Sequence, residues 1–285
     1  MTSPTDIGWP PARDWWTPWP LATKAISTKL WQCSGFVSAD GQVASGTQTA
    51  YVLGLHMQLI PEDLRDPAAG HLVEAIARAG WRLTTGFVGV GYLLPVLSSN
   101  GQNDVAYRLL EQADMPSWRY MVDHDATTIW ERWDAWTEER GFQSPAMNSF
   151  NHYSLGAVGE WLYRFVLGIE PEAGAAGFSR LALRPHPGGQ LTWARGSYRS
   201  SHGPIATEWR RDGAVFSFRA EIPPGATGTV HIPSRDADEV RDFQGHGPVA
   251  IASFPGATGA SEAVFEVGPG VHQFAGPALT DDADG

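Results

Sequence analysis

The spacing of apolar residues divides the chain into a helical first part and a strand-rich second part. In the first part, apolar residues recur at helical spacing in five segments, 47–60, 68–81, 87–97, 103–113 and 148–167. The third segment is apolar on nearly every side, which predicts a buried helix. Successive helices joined by short turns are typical of stacked antiparallel pairs, as in a bundle, a solenoid or an α/α toroid.

The second part, from about Gly174, has short runs in which apolar and polar residues alternate. Six such runs predict strands, at 181–184, 191–194, 196–199, 205–209, 214–218 and 228–232. Asp212-Gly213 is a hairpin-turn signature, and Pro223-Pro224-Gly225 marks another break. Many short strands with regular turns predict an antiparallel β-sandwich.

The change of pattern near residue 170 predicts the domain organisation. We expect residues 1–172 to form the helical domain and residues 173–278 to form the sandwich. Residues 279–285 form an acidic tail, which we expect to be disordered.

Composition and charge limit which classes of partner this chain is expected to bind. The chain has 285 residues, of which 42% are hydrophobic, so it can bury a substantial core. The formal net charge of -11 argues against nucleic acid and against anionic membrane surfaces, because both attract clusters of Lys and Arg. We therefore expect no nucleic-acid partner and no membrane partner, whereas a neutral substrate is compatible with this charge.

The termini and the cysteine content bear on location. Cys33 is the only cysteine, so the chain has no internal disulfide and no Cys-based metal site. Residues 1–6 lack the basic and apolar regions of a signal peptide. The apolar stretch 87–97 is too short to span a bilayer and contains Pro95. These features predict a cytoplasmic protein.

The connection between residues 115 and 147 is unusually long, and long connections inside a compact domain are usually functional. Within it, Glu131 is surrounded by tryptophans at positions 130, 133 and 136. Indole faces stack on the apolar face of a sugar, while carboxylates bind hydroxyls or perform acid–base chemistry. The alternative is a helix end that buries its aromatics and pairs Glu131 with an arginine. This segment alone does not decide between them.

Four stretches, in one order, resemble the C-terminal half of the bacterial α-L-rhamnosidases of glycoside hydrolase family 78: 84–89, 127–134, 148–153 and 191–196. The likeness runs from about residue 42 to residue 233. It implies a multidomain, α then β, architecture. A partial α/α toroid of the six-hairpin glycosidase type would be followed by an antiparallel β-sandwich.

The resemblance also implies roles for individual residues. Members of the family hydrolyse terminal α-L-rhamnose with inversion, so the expected partner is a rhamnose-containing glycoside. Glu131 matches the general base, and His152 matches a histidine that contacts the sugar. The further substrate-binding candidates are Trp130, Trp133, Trp136 and Arg132. The resemblance implies no metal and no cofactor.

The chain departs from the family at the general acid. In the family, the acid lies upstream in a run of Asp-Cys-Pro-Gln-Arg character, which has no match here. Glu138-Glu139-Arg140 is superficially similar but follows Glu131. Asp14-Trp15-Trp16 resembles a stretch found earlier in the toroid. We therefore expect a truncated rhamnosidase with little or no activity alone, and a second chain or self-association that covers the open edge of the toroid.

Two other functions stay open. The first is a non-catalytic carbohydrate-binding or interaction module that keeps a tryptophan-lined half-site. The second is a polysaccharide lyase, with His152 or Tyr153 abstracting the proton. Lyases act on uronic acids and need cationic groups, which an acidic chain with Glu131 at its centre fits poorly.

Overall fold

The structure is a computed structural model that describes residues 35–253 and 261–279. The predictions made for Cys33, for the stretch Asp14–Trp16 and for residues 280–285 of the tail lie outside the described residues.

Helices occupy the first part of the described chain. In order they are α1 Gln48–His56, α2 Arg65–Arg78, α3 Phe87–Ser99, α4 Asn103–Leu110, α5 Trp118–Asp123, α6 Tyr153–Gly156 and α7 Val158–Trp161. A π-helical turn, Leu162–Val166, follows α7 directly. Single 3-10 turns lie at Glu62–Leu64, Pro145–Met147, Ala176–Phe178 and Ala237–Glu239.

Helix α3 is the centre of the helical part, as its apolar composition predicts. It contacts α1, α4, α6 and α7, and the helix continues through the buried Pro95. Two glycines allow the close packing. A Cβ on Gly89 would meet the Thr49 side chain of α1 at 3.2 Å, and one on Gly91 would meet Ala157 Cβ at 3.1 Å. Gly89 and Gly91 thus serve helix packing.

Strands occupy the second part, apart from a two-stranded hairpin in the long connection. They are β1 Trp136–Thr137, β2 Gly141–Phe142, β3 Ile169–Pro171, β4 Arg180–Leu183, β5 Trp193–Ser200, β6 Gly203–Asp212, β7 Val215–Ile222, β8 Thr227–Ser234, β9 Arg241–Asp242, β10 Ala250–Ser253, β11 Ser261–Val267 and β12 Gly270–Pro277. β1 pairs with β2. The others form two five-stranded sheets, in the orders β10-β11-β8-β4-β3 and β5-β6-β7-β12-β9.

The two sheets pack face to face as a sandwich. Phe265 of one sheet and Phe274 of the other lie with their ring centroids 4.8 Å apart, and both are buried. Among the described strands, all pairs are antiparallel except β4 with β8. The predicted α then β architecture, with helices followed by an antiparallel-rich sandwich, is confirmed for the described residues.

Buried hydrogen bonds join the helices to the sandwich. Trp209 Nε1 on β6 donates to the Val166 carbonyl at 2.7 Å. The Tyr107 hydroxyl on α4 donates to the His186 carbonyl at 2.9 Å. Burial raises the pKa of Tyr107, so the hydroxyl keeps its proton and remains a donor. The sandwich therefore supports the helices that position the site.

Three local predictions differ from the structure. The helix predicted at 148–167 begins only at Tyr153, because residues 149–152 pair with residues 129–131 instead. The runs 191–194 and 196–199 are not two strands, since the single strand β5, Trp193–Ser200, continues through Gly196 and begins only after Thr192. Strand Ile169–Pro171 lies before residue 172 yet pairs within the sandwich. The domain limits at residues 172 and 278 stay a prediction.

Among the described residues, no helix has the length and apolar character needed to cross a bilayer.

Candidate functional site

An open cavity of about 410 Å³ lies beside the long connection. Its lining residues are Thr85, Gly86, Phe87, Met115, Pro116, Glu131, Arg132, Trp133, Asp134 and Leu155. Most of them belong to the connection between α4 and α6, and three come from the start of α3 or the turn before it. The cavity thus combines two carboxylates, one guanidinium and one indole ring with apolar walls.

Backbone pairing fixes the position of Glu131. Its N–H donates to the Ser149 carbonyl at 2.8 Å, and the His152 N–H donates to the Ile129 carbonyl at 3.0 Å. The Ser149 N–H in turn donates to Glu131 Oε2 at 2.8 Å. One oxygen of the carboxylate is therefore held by the backbone, and its direction at the cavity wall is set.

Arg132 is paired with Asp134, and this pairing answers a question left open by the sequence. Arg132 Nε donates to Asp134 Oδ1 at 3.0 Å, and Arg132 Nη2 donates to Oδ2 at 3.1 Å. This two-bond arrangement fixes both groups at the cavity. The Arg132 hydrogen bond holds the pKa of Asp134 below its ordinary value. The alternative in which an arginine neutralises Glu131 through an ion pair is not what the described residues form.

The three tryptophans around Glu131 occupy different environments. Trp133 lines the cavity and packs edge-on against the buried Trp118, with centroids 5.1 Å apart. Trp130 is buried, 4% exposed, and contacts Phe150. Trp136 lies on β1 against His124. Of the three, the structure brings only Trp133 to the cavity wall.

His152 lies beside the cavity without being one of its lining residues. It is the N-cap of α6, and its Nδ1 accepts a hydrogen bond from the Ser154 N–H at 3.2 Å. Its ring stacks on Phe87, which does line the cavity, with centroids 5.1 Å apart. The predicted site residues Glu131, Arg132, Trp133 and His152 therefore gather in one place.

Sequence reasoning did not single out several of the lining residues. Phe87 and Thr85 belong to a stretch that carried the family likeness, which was the available signal for them. Met115 and Pro116 carry no chemistry of their own and gave no signal. Among the described residues, no group of three His, Cys, Asp or Glu side chains is placed to hold a metal ion.

Comparison with known families decides the ancestry of the chain. Residues 22–166 match the bacterial alpha-L-rhamnosidase 6 hairpin glycosidase domain. Residues 168–247 match the bacterial alpha-L-rhamnosidase C-terminal domain. The chain belongs to the bacterial α-L-rhamnosidase family. The resemblance seen in the sequence is thus confirmed.

Individual relatives agree. An alpha-L-rhamnosidase of Streptomyces avermitilis is 46% identical over 241 residues, which is 85% of this chain and 22% of that protein. One from Formosa agariphila is 34% identical over 75% of this chain and 23% of its own length. This rhamnosidase-family chain therefore spans about a fifth of the length of the curated relatives it matches.

Solved structures of the family superimpose well. The crystal structure of Streptomyces avermitilis alpha-L-rhamnosidase complexed with L-rhamnose gives a TM-score of 0.77 at 46% identity, covering 87% of this chain and 23% of that one. The Aspergillus terreus enzyme gives a TM-score of 0.73 at 32% identity, with 89% of this chain and 26% of that chain covered. The helical part and the sandwich thus follow a known arrangement.

Proposed function

We propose that this chain carries the water-activating part of an inverting α-L-rhamnosidase site, with Glu131 as the general base. The observation that carries the proposal is the Glu131 carboxylate, held by the Ser149 N–H at the wall of a cavity that also contains Trp133. The relatives named alpha-L-rhamnosidase and the rhamnose-bound structure support rhamnose as the sugar.

The geometry supports the activation of water in an inverting reaction, which is a single displacement. A water held by Glu131 attacks the anomeric carbon of rhamnose while Glu131 accepts the water proton. The bond between that carbon and the leaving oxygen breaks at the same time, and a second carboxyl group protonates the oxygen. Inverting enzymes hold the two carboxyl groups roughly 6.5–9.5 Å apart, which leaves room for the water.

Asp134, the other carboxylate at the cavity, is poorly suited to be that acid. Its pairing with Arg132 keeps its pKa low, so it holds no proton to donate near neutral pH. Because the family's acid motif has no match in residues 1–285, we expect hydrolysis of ordinary rhamnosides by this chain alone to be weak.

A substrate that needs no acid tests the base directly. The fluoride of α-L-rhamnosyl fluoride leaves without protonation, so this chain should hydrolyse it and release β-L-rhamnose, as proton NMR would show. Methyl α-L-rhamnoside, which does need an acid, should react very slowly. Glu131→Gln should abolish hydrolysis of α-L-rhamnosyl fluoride. Glu138 is an exposed residue of the same connection, and Glu138→Gln should leave the rate of hydrolysis unchanged. Equal turnover by wild type and Glu131→Gln would contradict the proposal.

The pairing of Asp134 with Arg132, which occupies the second carboxylate of the cavity, also favours a second candidate, a non-catalytic module that binds rhamnose without hydrolysing its glycosides. Rhamnose binding without hydrolysis of the fluoride would establish this alternative.

The remaining site roles and the location are part of the same proposal. His152, Trp133 and Arg132 would contact the sugar, while Trp130 and Trp136 would support the loop rather than line the pocket. A cytoplasmic location and a second chain or copy at the toroid edge stay predictions. Cell fractionation and sedimentation measurements would test them.

A further inference from the structure

Three aromatic rings form a stack beside the cavity. Phe87 and His152 lie with their ring centroids 5.1 Å apart and their planes at 22°. His152 and Tyr153 lie at 5.0 Å and 20°. Phe87 also lines the cavity that contains Glu131. The imidazole plane is therefore set by ring contacts, one of which comes from a residue of the cavity wall.

A backbone group sets the tautomer of the same imidazole. The Ser154 N–H donates to His152 Nδ1 at 3.2 Å. Because Nδ1 accepts this bond, it carries no proton, and in the neutral ring the proton lies on Nε2. The His152 N–H bonded to the Ile129 carbonyl fixes the backbone two residues from Glu131. His152 is thus held with Nε2 as a donor.

We propose that Phe87 is a positioning residue for His152. The Phe87 ring fixes the imidazole plane, the Ser154 N–H fixes the tautomer, and together they present Nε2–H to a hydroxyl oxygen of the bound sugar. The sugar as acceptor rests on the proposed function, whereas the fixed ring and tautomer are properties of the free protein.

The position of Phe87 is itself rigid. It is the first residue of α3, whose next turns pack against α1 through Gly89 and bury Val90 and Leu94. A residue on a well-packed helix positions a neighbouring functional side chain more precisely than a residue on a loop does. Phe87 is 46% exposed. Its fixed position therefore comes from the helix that carries it rather than from burial of its own ring.

The first test is made without ligand. Nitrogen-15 NMR of the histidine rings should show His152 as the Nε2–H tautomer, and Phe87→Tyr should keep both the tautomer and the line shape. In Phe87→Leu the contact with the His152 ring is lost, so the nitrogen signals of His152 should be averaged between its two tautomers. Val88→Ala, at the exposed neighbouring residue of α3, should leave them unchanged. An Nδ1–H tautomer in wild type, or a Phe87→Leu spectrum equal to wild type, would overturn the positioning role.

The second test measures L-rhamnose binding by calorimetry. Phe87→Leu should weaken L-rhamnose binding by roughly 2- to 12-fold, the change in affinity that the loss of one aromatic pair produces. Phe87→Tyr keeps the aromatic pair and should bind L-rhamnose as wild type does. Unchanged affinity in Phe87→Leu would overturn the link between the ring and the sugar. No binding even by wild type would instead refute the proposed function, while the NMR result would still decide whether Phe87 positions His152.

Discussion

The interface between the two sheets and the surface near Glu131 differ in how far they cover large aromatic side chains. In the sandwich, Phe265 and Phe274 are at most 2% exposed, because their rings pack against each other between the two sheets. On the surface of the helical part, Phe142 of the β1–β2 hairpin is 73% exposed, and Tyr153, which stacks on His152, is 84% exposed. The interface between the sheets is closed, whereas the helical part, which has buried residues of its own, also exposes aromatic rings near Glu131. We infer that the buried core supplies stability and that the exposed rings near Glu131 supply contacts to ligand or partner.

The strongest test of this comparison is Trp209→Ala. It removes a fully buried indole and its hydrogen bond to the Val166 carbonyl, so the free energy of unfolding should fall by about 3–5 kcal/mol. Urea denaturation measures the loss. Trp193→Ala is the matched control on the edge strand β5, where the ring is 53% exposed, and it should cost less than about 1 kcal/mol. Similar losses in the two variants would break the comparison.

The junction between the parts should make stability depend on pH. Burial, and next the charge of Arg184, lowers the pKa of His186 to about 4 from its ordinary 6.5. Between those values the unfolded chain binds more protons, so stability decreases as pH falls from 6.5 towards 4. This difference corresponds to at most roughly 3 kcal/mol.

His186→Gln should therefore reduce the loss of stability between pH 6.5 and pH 4, measured as the urea midpoint at each pH. Arg184, Glu262 and His231 also face this region and are unchanged in the variant, so some slope should remain. His202→Gln at an exposed position should keep the wild-type slope. An unchanged slope in His186→Gln would show that this histidine is not the source.

Asp134→Asn compares the effect of one site residue on stability with its effect on rhamnose binding. It removes the negative charge and one of the two acceptor oxygens that hold Arg132 at the cavity. Because both groups are partly exposed, the free energy of unfolding should change by less than about 1 kcal/mol. Rhamnose binding should nevertheless weaken by about tenfold, the effect of losing one charge-assisted hydrogen bond. Lost stability with unchanged affinity would assign the pair a structural role instead.

The smallest effect is expected for Phe142→Ala. The ring is exposed on the β1–β2 hairpin, so its removal should change the free energy of unfolding by less than about 0.5 kcal/mol. If the hairpin contributes to a self-association surface, sedimentation velocity should show less association in the variant. A loss as large as that of Trp209→Ala would mean that the helical part has a core extending to Phe142.

Local apolar patterns predicted the helices and turns whose formation depends mainly on residues close together in the sequence. Helix α3 is apolar on nearly every side and is central in the fold, and the Asp212-Gly213 turn joins β6 to β7 as predicted. Strand β11 was not predicted, although its partner β8 was. Its pairing depends on contacts between residues more than 25 positions apart, which no local pattern contains.

The site shows the same limit. The sequence singled out Glu131 through its tryptophans, yet only Trp133 reaches the cavity. The helix predicted from residue 148 is absent before Tyr153, because the Ser149 carbonyl and N–H bond to Glu131 instead. Long-range backbone pairing overrides the local helical pattern there, and that same pairing directs the carboxylate.

Calorimetric titration with L-rhamnose tests most directly whether the cavity of the helical part is a sugar site built around Glu131. Wild type should bind in the millimolar range or tighter. Glu131→Gln should weaken binding, because an amide cannot accept the same hydrogen bonds, and Glu138→Gln should match wild type. No binding by wild type, or the same affinity in Glu131→Gln as in wild type, would contradict the account.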